Sequence, residues 1–118
     1  MSQQPLHRRE RLYVDGEWHD ADEVLEVTDL ADGGVFAEVA AADAEIADAA
    51  LGAAKRAEDA MRETTIPQRA EWMEQIADGL LERKDEIADV IVREAGKPIS
   101  SARGGVDSAA ERFRRAAE

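Results

Sequence analysis

Residues 94–99 read Glu94-Ala95-Gly96-Lys97-Pro98-Ile99. This short stretch stops one helix and starts another. A glycine takes the left-handed conformation past a helix end without a Cβ penalty, and a proline shortly after it cannot continue the helix. Upstream, Ile91, Ile87, Leu81, Leu80, Ala77, Met73, Ala70 and Ile66 recur every three or four residues, which is one helical stripe traced back from Gly96. Thr65 stands three residues before Gln68, with Pro67 between them. That is a capping box with proline tolerated in the first turn, and it starts the stripe. A helix from 66 to 95 is long for a globular chain, so the spacing predicts a break near Arg83-Lys84, with Asp85 capping the next helix. Downstream, a last helix runs from Ile99 or Ser100 to the chain end. It carries Gly104-Gly105, and each glycine costs about 1 kcal/mol against alanine in a helix interior. The pair therefore points to close backbone approach or a loosened first turn.

Further back, Ile46, Ala50, Ala54, Ala57 and Met61 mark another helix face, with Asp43 as its N-cap. Before Asp43 the period changes. Leu12-Tyr13-Val14, Asp15-Gly16 and Glu17-Trp18 form a hairpin signal, because both residues of an Asp-Gly turn need positive φ. Leu25-Glu26-Val27 alternates, Val35-Phe36-Ala37-Glu38-Val39 is strand-like, and Asp32-Gly33-Gly34 lies between them as a turn. The predicted class is α+β: a flexible N-terminus over 1–10, β-hairpin segments over 11–40 and about four α-helices over 43–118.

The chain has 118 residues and a formal charge of −12, from 27 acidic and 15 basic side chains. A chain of this size makes one small domain, not a complete two-domain enzyme. The charge repels nucleic acid, and no apolar run is long enough to span a membrane. The first residues have no apolar segment of a secretory signal, so a cytoplasmic location is expected. Only 3 of the basic residues are lysine and 12 are arginine. Such an acidic, lysine-poor surface suits a halophile's protein kept soluble at high salt. Alanine contributes 23 residues and buries little area, so the helices are expected to need a further surface to pack on.

Chemistry is sparse. With no cysteine, there is no disulfide, thiolate zinc site or cysteine nucleophile. His7 and His19 have no nucleophile paired with them and read as exposed histidines. Trp18 and Trp72 read as packing anchors. Glu71, Glu74 and Asp78 lie on a polar helix face that is expected to meet solvent. No glycine-rich phosphate loop is present. From the residues alone, this is an acidic, helix-rich chain without a visible active site.

Residues 94–99 carry more than a helix boundary. Glu94-Ala95-Gly96-Lys97-Pro98 resembles the "E-x-GKP" segment of the aldehyde dehydrogenase superfamily. Tyr13-Val14-Asp15-Gly16-Glu17-Trp18 resembles its opening "Y-I-(N/D)-G-E-W", and Asp32-Gly33-Gly34-Val35-Phe36-Ala37-Glu38-Val39 resembles "T-G-E-V-I-A-E-V". Arg69-Ala70 with Ala77-Asp78-Gly79-Leu80-Leu81-Glu82-Arg83 is similar to "ERA…ADLLEER", and Ala102-Arg103-Gly104-Gly105-Val106 to "ARGEV". The segments follow the family's order and spacing over residues 12–118. Leu30 stands where the family has a proline, and Gly34 and Gly105 where it has glutamates.

The resemblance implies an N-terminal fragment of an NAD(P)-dependent aldehyde dehydrogenase, part of the α/β cofactor-binding domain of that fold. In the complete family a cysteine attacks the aldehyde, hydride passes to NAD or NADP, and a glutamate-activated water releases the carboxylic acid. Those residues come after the matched region, so no catalytic or cofactor-binding residue is placed here. No cofactor or dehydrogenase activity is expected of this chain alone. The resemblance also implies a structural cation held by the backbone around Val27 and Thr28 and by the Glu94 carboxylate. Oxygen ligands of this kind suit a hard cation. Expected partners are the remainder of a dehydrogenase, or other copies through exposed helix faces. Two alternatives stay open: a subunit of a split dehydrogenase, and a non-enzymatic helical binding module.

Overall fold

The structure, a computed structural model, describes residues 8–118. They form two units, one ending at Met61 and the other spanning Arg62–Glu118. His7 and the rest of the first seven residues lie outside the described residues.

The first unit holds β1 (Arg8–Glu10), β2 (Leu12–Val14), β3 (Glu17–His19), β4 (Glu23–Thr28), β5 (Val35–Ala41) and nearly all of α1 (Ala44–Arg62). Asp15 at φ 54° and Gly16 at φ 79° make the tight turn that joins β2 to β3. The hairpin register places Tyr13 opposite Trp18, and their rings meet at 4.9 Å. A second sheet has the order β1-β5-β4, with β5 parallel to β1 and antiparallel to β4. Residues 8–10 are therefore a paired strand, where a flexible terminus was expected over 1–10. A strand there completes the otherwise open edge of β5, which outweighs the polar composition. The β4–β5 loop is closed by its own residues. Asp29 N–H donates to Gly34 O and Gly33 N–H to Asp29 O, each at 2.8 Å, and Asp29 Oδ1 accepts from Ala31 N–H at 2.8 Å. Phe36, Ala37 and Ala40 of β5 are the buried residues of this sheet.

The second unit holds α2 (Ile66–Glu82), α3 (Lys84–Ala95) and α4 (Ile99–Ala117). Local chemistry sets each boundary. Thr65 Oγ1 accepts from Gln68 N–H at 3.2 Å while Gln68 Oε1 accepts from Thr65 N–H at 2.9 Å, the reciprocal capping box. Arg69 donates to the Thr64 carbonyl and hydroxyl, both at 2.9 Å, and ties down the approach to α2. The break falls at Arg83, but Arg83 and not Asp85 occupies the N-cap of α3, with no side-chain cap bond. Asp85 sits in the first turn instead, where its charge still favours the helix N-terminus. Gly96 ends α3 at φ 71°.

α4 runs back along α3 and then α2. Arg103 donates to Asp85 at 3.1 Å, Lys84 to Asp107 at 2.9 Å and Arg114 to Asp78 at 2.9 Å, which fixes an antiparallel register. Beneath this ladder the buried residues are Ala77, Ala88, Ala102, Val106 and Ala110. The α4 members recur every four residues, so one narrow stripe makes the seam. Small side chains allow helix axes to approach at the short end of the usual 8–10 Å range. The helices were expected to need a further surface, and the large residues of the stripes stay partly open. Met61 is 52% exposed and Ile76 40%, while Met73, Leu80, Ile87 and Ile91 are only half-buried.

Gly104 and Gly105 lie in the second turn of α4, not in a loosened first turn. A Cβ built on either meets nothing within 4 Å, so no close backbone approach explains them among the described residues.

Candidate functional site

Each residue singled out by sequence has a definite place. Val27 lies in β4 opposite Ala37, and a register irregularity falls between it and Thr28. Glu94 is exposed in the last turn of α3. Val27 and Thr28 thus belong to the first unit and Glu94 to the second. Two peptide oxygens and one carboxylate are short of the six to eight oxygens that calcium takes, so these residues alone do not complete a cation shell. Among the described residues, no group of three or more histidine or acidic side chains is placed to hold a metal ion.

His19 is exposed at the end of β3. Trp18 is 56% exposed and Trp72 42%, so neither is the packing anchor expected of it. Glu74 and Asp78 are solvent-exposed as expected, yet both face Arg114 of α4, at 3.7 and 2.9 Å. Exposed pairs of this kind contribute well under about 1 kcal/mol each, so they set register more than stability.

What composition did not reveal is a pair of grooves in the first unit. Both lie between the β2–β3 hairpin and α1 and share Val14, Asp15 and Ala53 in their linings. One, of about 280 Å³, is lined by Tyr13, Val14 and Asp15 and by Ala50, Ala53, Ala54 and Ala57 of α1. The other, of about 270 Å³, is lined by Val14, Asp15, Glu17, His19, Ala49, Ala53 and Arg56. Arg56 pairs with Asp15 at 3.7 Å across the hairpin turn. The Asp15-Gly16 turn orients the hairpin, and Asp43, whose Oδ1 accepts from Ile46 N–H at 2.8 Å, starts the helix beneath it. The first groove has an alanine floor and an aromatic wall and offers packing, not chemistry. The second adds the His19 imidazole and the Glu17 carboxylate but no nucleophile for them to activate. The signal was in the sequence as the alanine spacing of α1, which reads equally well as an ordinary core stripe.

Comparison with known proteins gives this architecture its context. The model of the aldehyde dehydrogenase family matches residues 18–118. The succinate-semialdehyde dehydrogenase [NADP(+)] of Saccharomyces cerevisiae is 34% identical over 106 residues, covering 89% of this chain and 21% of that protein. The 3-sulfolactaldehyde dehydrogenase of Priestia megaterium is 36% identical over 108 residues, covering 91% of this chain and 22% of that one. Among solved structures, the NADP-dependent glyceraldehyde-3-phosphate dehydrogenase of Bacillus halodurans, complexed with NADP, superposes with a TM-score of 0.89 at 29% identity. That match covers 92% of this chain and 23% of that structure. The chain belongs to the aldehyde dehydrogenase family. It spans about a fifth of the length of these curated relatives. Its α+β arrangement of small sheets and helices is that of a part of their fold. No helix among the described residues is long and apolar enough to cross a membrane.

Proposed function

We propose that residues 1–118 are the N-terminal part of an NAD(P)-dependent aldehyde dehydrogenase, which in complete form oxidises an aldehyde to a carboxylic acid. The single observation that carries this reading is the superposition of 92% of the chain on under a quarter of a dehydrogenase complexed with NADP. In this reading the chain supplies scaffold, and NAD or NADP and the reacting groups belong to the part it does not span. The absence of cysteine agrees with that division, because the covalent step needs a thiolate nucleophile. A dehydrogenase split between two chains stays the alternative form of this reading.

The test is a chimera in which this chain replaces the matched fifth of the Saccharomyces cerevisiae relative. The expected result is a soluble protein that reduces NADP with succinate semialdehyde, while the 118-residue chain alone reduces none. Cofactor reduction that tracks with the isolated chain overturns the reading, as does an inert chimera.

Three further proposals accompany it. The protein is cytoplasmic and comes from a halophile, on the strength of its charge of −12 and its scarcity of lysine. Val27, Thr28 and Glu94 contribute oxygens to a structural cation whose remaining ligands lie in the rest of the enzyme. A chimera with Glu94→Gln should then lose any stabilisation that sodium or potassium gives the parent chimera. The partner of the chain is the remainder of the dehydrogenase, with self-association of the isolated chain through its exposed helix faces.

A further inference from the structure

Three aspartates in the chain stand directly before a glycine, in Asp15-Gly16, Asp32-Gly33 and Asp78-Gly79. Such a pair can close on itself, because glycine has no Cβ to shield its nitrogen from the neighbouring carboxyl group. All three aspartates are exposed, so exposure does not tell them apart. Their hydrogen bonds do. Gly79 N–H is committed to the ladder of α2, and Asp78 Oδ1 accepts from Arg114 at 2.9 Å. Gly33 N–H donates to Asp29 O at 2.8 Å, and Asp32 Oδ1 accepts from Gly34 N–H at 2.8 Å. In both pairs the attacking nitrogen and the carboxylate are each held. Asp15-Gly16 differs on both counts. Gly16 N–H donates no hydrogen bond among the described residues, and the Asp15 carboxylate is met by Arg56 at 3.7 Å, beyond hydrogen-bond distance. Asp15 is also the one non-glycine residue at positive φ among the described residues, 54°, where its Cβ crowds the following carbonyl. The hairpin around it pairs three residues with three, and a two-stranded ribbon that short opens readily.

We propose that Asp15-Gly16 is a site of spontaneous isomerisation to isoaspartate, selected over the other two pairs by the hydrogen bonds that they have and it lacks. When the hairpin opens, the Gly16 nitrogen bonds to Cγ of the protonated Asp15 carboxyl group. The N–H proton and the carboxyl hydroxyl leave together as water, and a five-membered imide remains. Water then adds back. Addition at Cγ restores aspartate. Addition at the α-carbonyl carbon breaks its bond to nitrogen and leaves the chain running through Cβ and Cγ. Composition is unchanged, and no oxidant or reductant takes part. The product has one more atom in its backbone at the turn, so it does not close a two-residue turn in the present register, and Tyr13 and Trp18 lose their contact. Its exposed α-carboxylate is the group that a repair methyltransferase esterifies from S-adenosylmethionine. This chemistry is the chain's own and stands whether or not the reading under Proposed function does.

The test is a timed incubation of the 118-residue chain, with isoaspartate read in each of the three Asp-Gly peptides. Methyl label transferred by an isoaspartyl methyltransferase gives the amount, and electron-transfer fragmentation assigns the residue. In native buffer the Asp15 peptide should gain label at least about tenfold faster than the Asp32 and Asp78 peptides, because only its pair is released by a local opening. In urea, where the protecting hydrogen bonds are gone, the three rates should converge. D15E, whose carboxyl group would have to close a six-membered ring, should remove the label from its peptide and leave the other two unchanged. A native rate at Asp15 no faster than at Asp32 or Asp78 overturns the proposal. A native difference that persists in urea also overturns it, since sequence and not structure would then select the site. Label that survives D15E comes from Asp20 or Asp22 nearby and overturns it as well.

Discussion

Replacing Gly104 and Gly105 together by alanine should stabilise the isolated chain. Both positions are interior to α4, past its first turn, and both are exposed. A Cβ built on either meets nothing within 4 Å, so the substitution brings neither a clash nor a new contact. What remains is backbone entropy. Alanine is favoured over glycine in a helix interior by about 0.8–1.0 kcal/mol, and measured Gly→Ala gains at compatible sites run from about 0.4 to 1 kcal/mol. The pair should therefore contribute about 1–2 kcal/mol. For a unit of this size, 1 kcal/mol moves the midpoint by about 4–8 °C, so a rise of about 4 °C or more is expected. Gly96→Ala supplies the opposite sign. Gly96 sits at φ 71°, where a Cβ costs about 1–2 kcal/mol, so this variant should melt earlier. Thermal melts followed by far-ultraviolet circular dichroism measure both, and urea melts with an unchanged slope confirm that stability and not compactness has changed. A lower midpoint for the α4 double variant would refute the reasoning. It would mean that another surface, such as a second copy, lies against those glycines in solution.

Thr65→Ala should cost about 1 kcal/mol, since it removes the acceptor for Gln68 N–H in the capping box; an unchanged urea midpoint would show that the cap is redundant. Ala102→Leu should destabilise by about 1–3 kcal/mol in the same assay, because Ala102 is 1% exposed in the seam and extra methylenes must force the helices apart. In molar KCl the chain should show more helix and a higher midpoint than in dilute buffer. Salt screens both the exposed ion pairs and the self-repulsion of a −12 chain, and the second is the larger loss to relieve. Equal midpoints at both salt concentrations would remove the argument for a halophile.

Boundaries were the legible part of the fold, because they are set by local chemistry. The Asp15-Gly16 turn, the Asp43 cap, the Thr65–Gln68 box and the Gly96 stop each involve residues within a few positions of one another. Each is found where that chemistry places it. Long-range pairing was not legible. Nothing in Arg8-Arg9-Glu10 marks it as a partner for Ala37, Glu38 and Val39, because a parallel pairing between segments so far apart leaves no local signature. The family motifs were legible for a different reason: they are strings of residues, and strings survive in a chain that spans only a fifth of its relatives.

The core was legible only in part, and the reason bears on function. Periodicity locates a stripe but does not say which of its residues meets a partner. By transfer energy alone the large members, such as Ile76 and Met61, should be buried first, at about 25 cal/mol per Å². The second unit instead buries Ala77, Ala88, Ala102 and Ala110 and leaves Ile66, Trp72 and Ile76 at 75%, 42% and 40% exposure. Two helices in contact along small residues come close enough to exclude the large ones, which are displaced to the flanks of the seam. Within one small unit that is a poor use of apolar area. It is a reasonable use where the flanks have their own partners. The same asymmetry appears on α1, where a complete apolar stripe has one buried member. Both units leave large apolar residues exposed beside small buried ones, Leu51 at 71% near Ala53 and Ile66 at 75% in the helix of Ala77. That is the arrangement expected of helices that pack on a further surface.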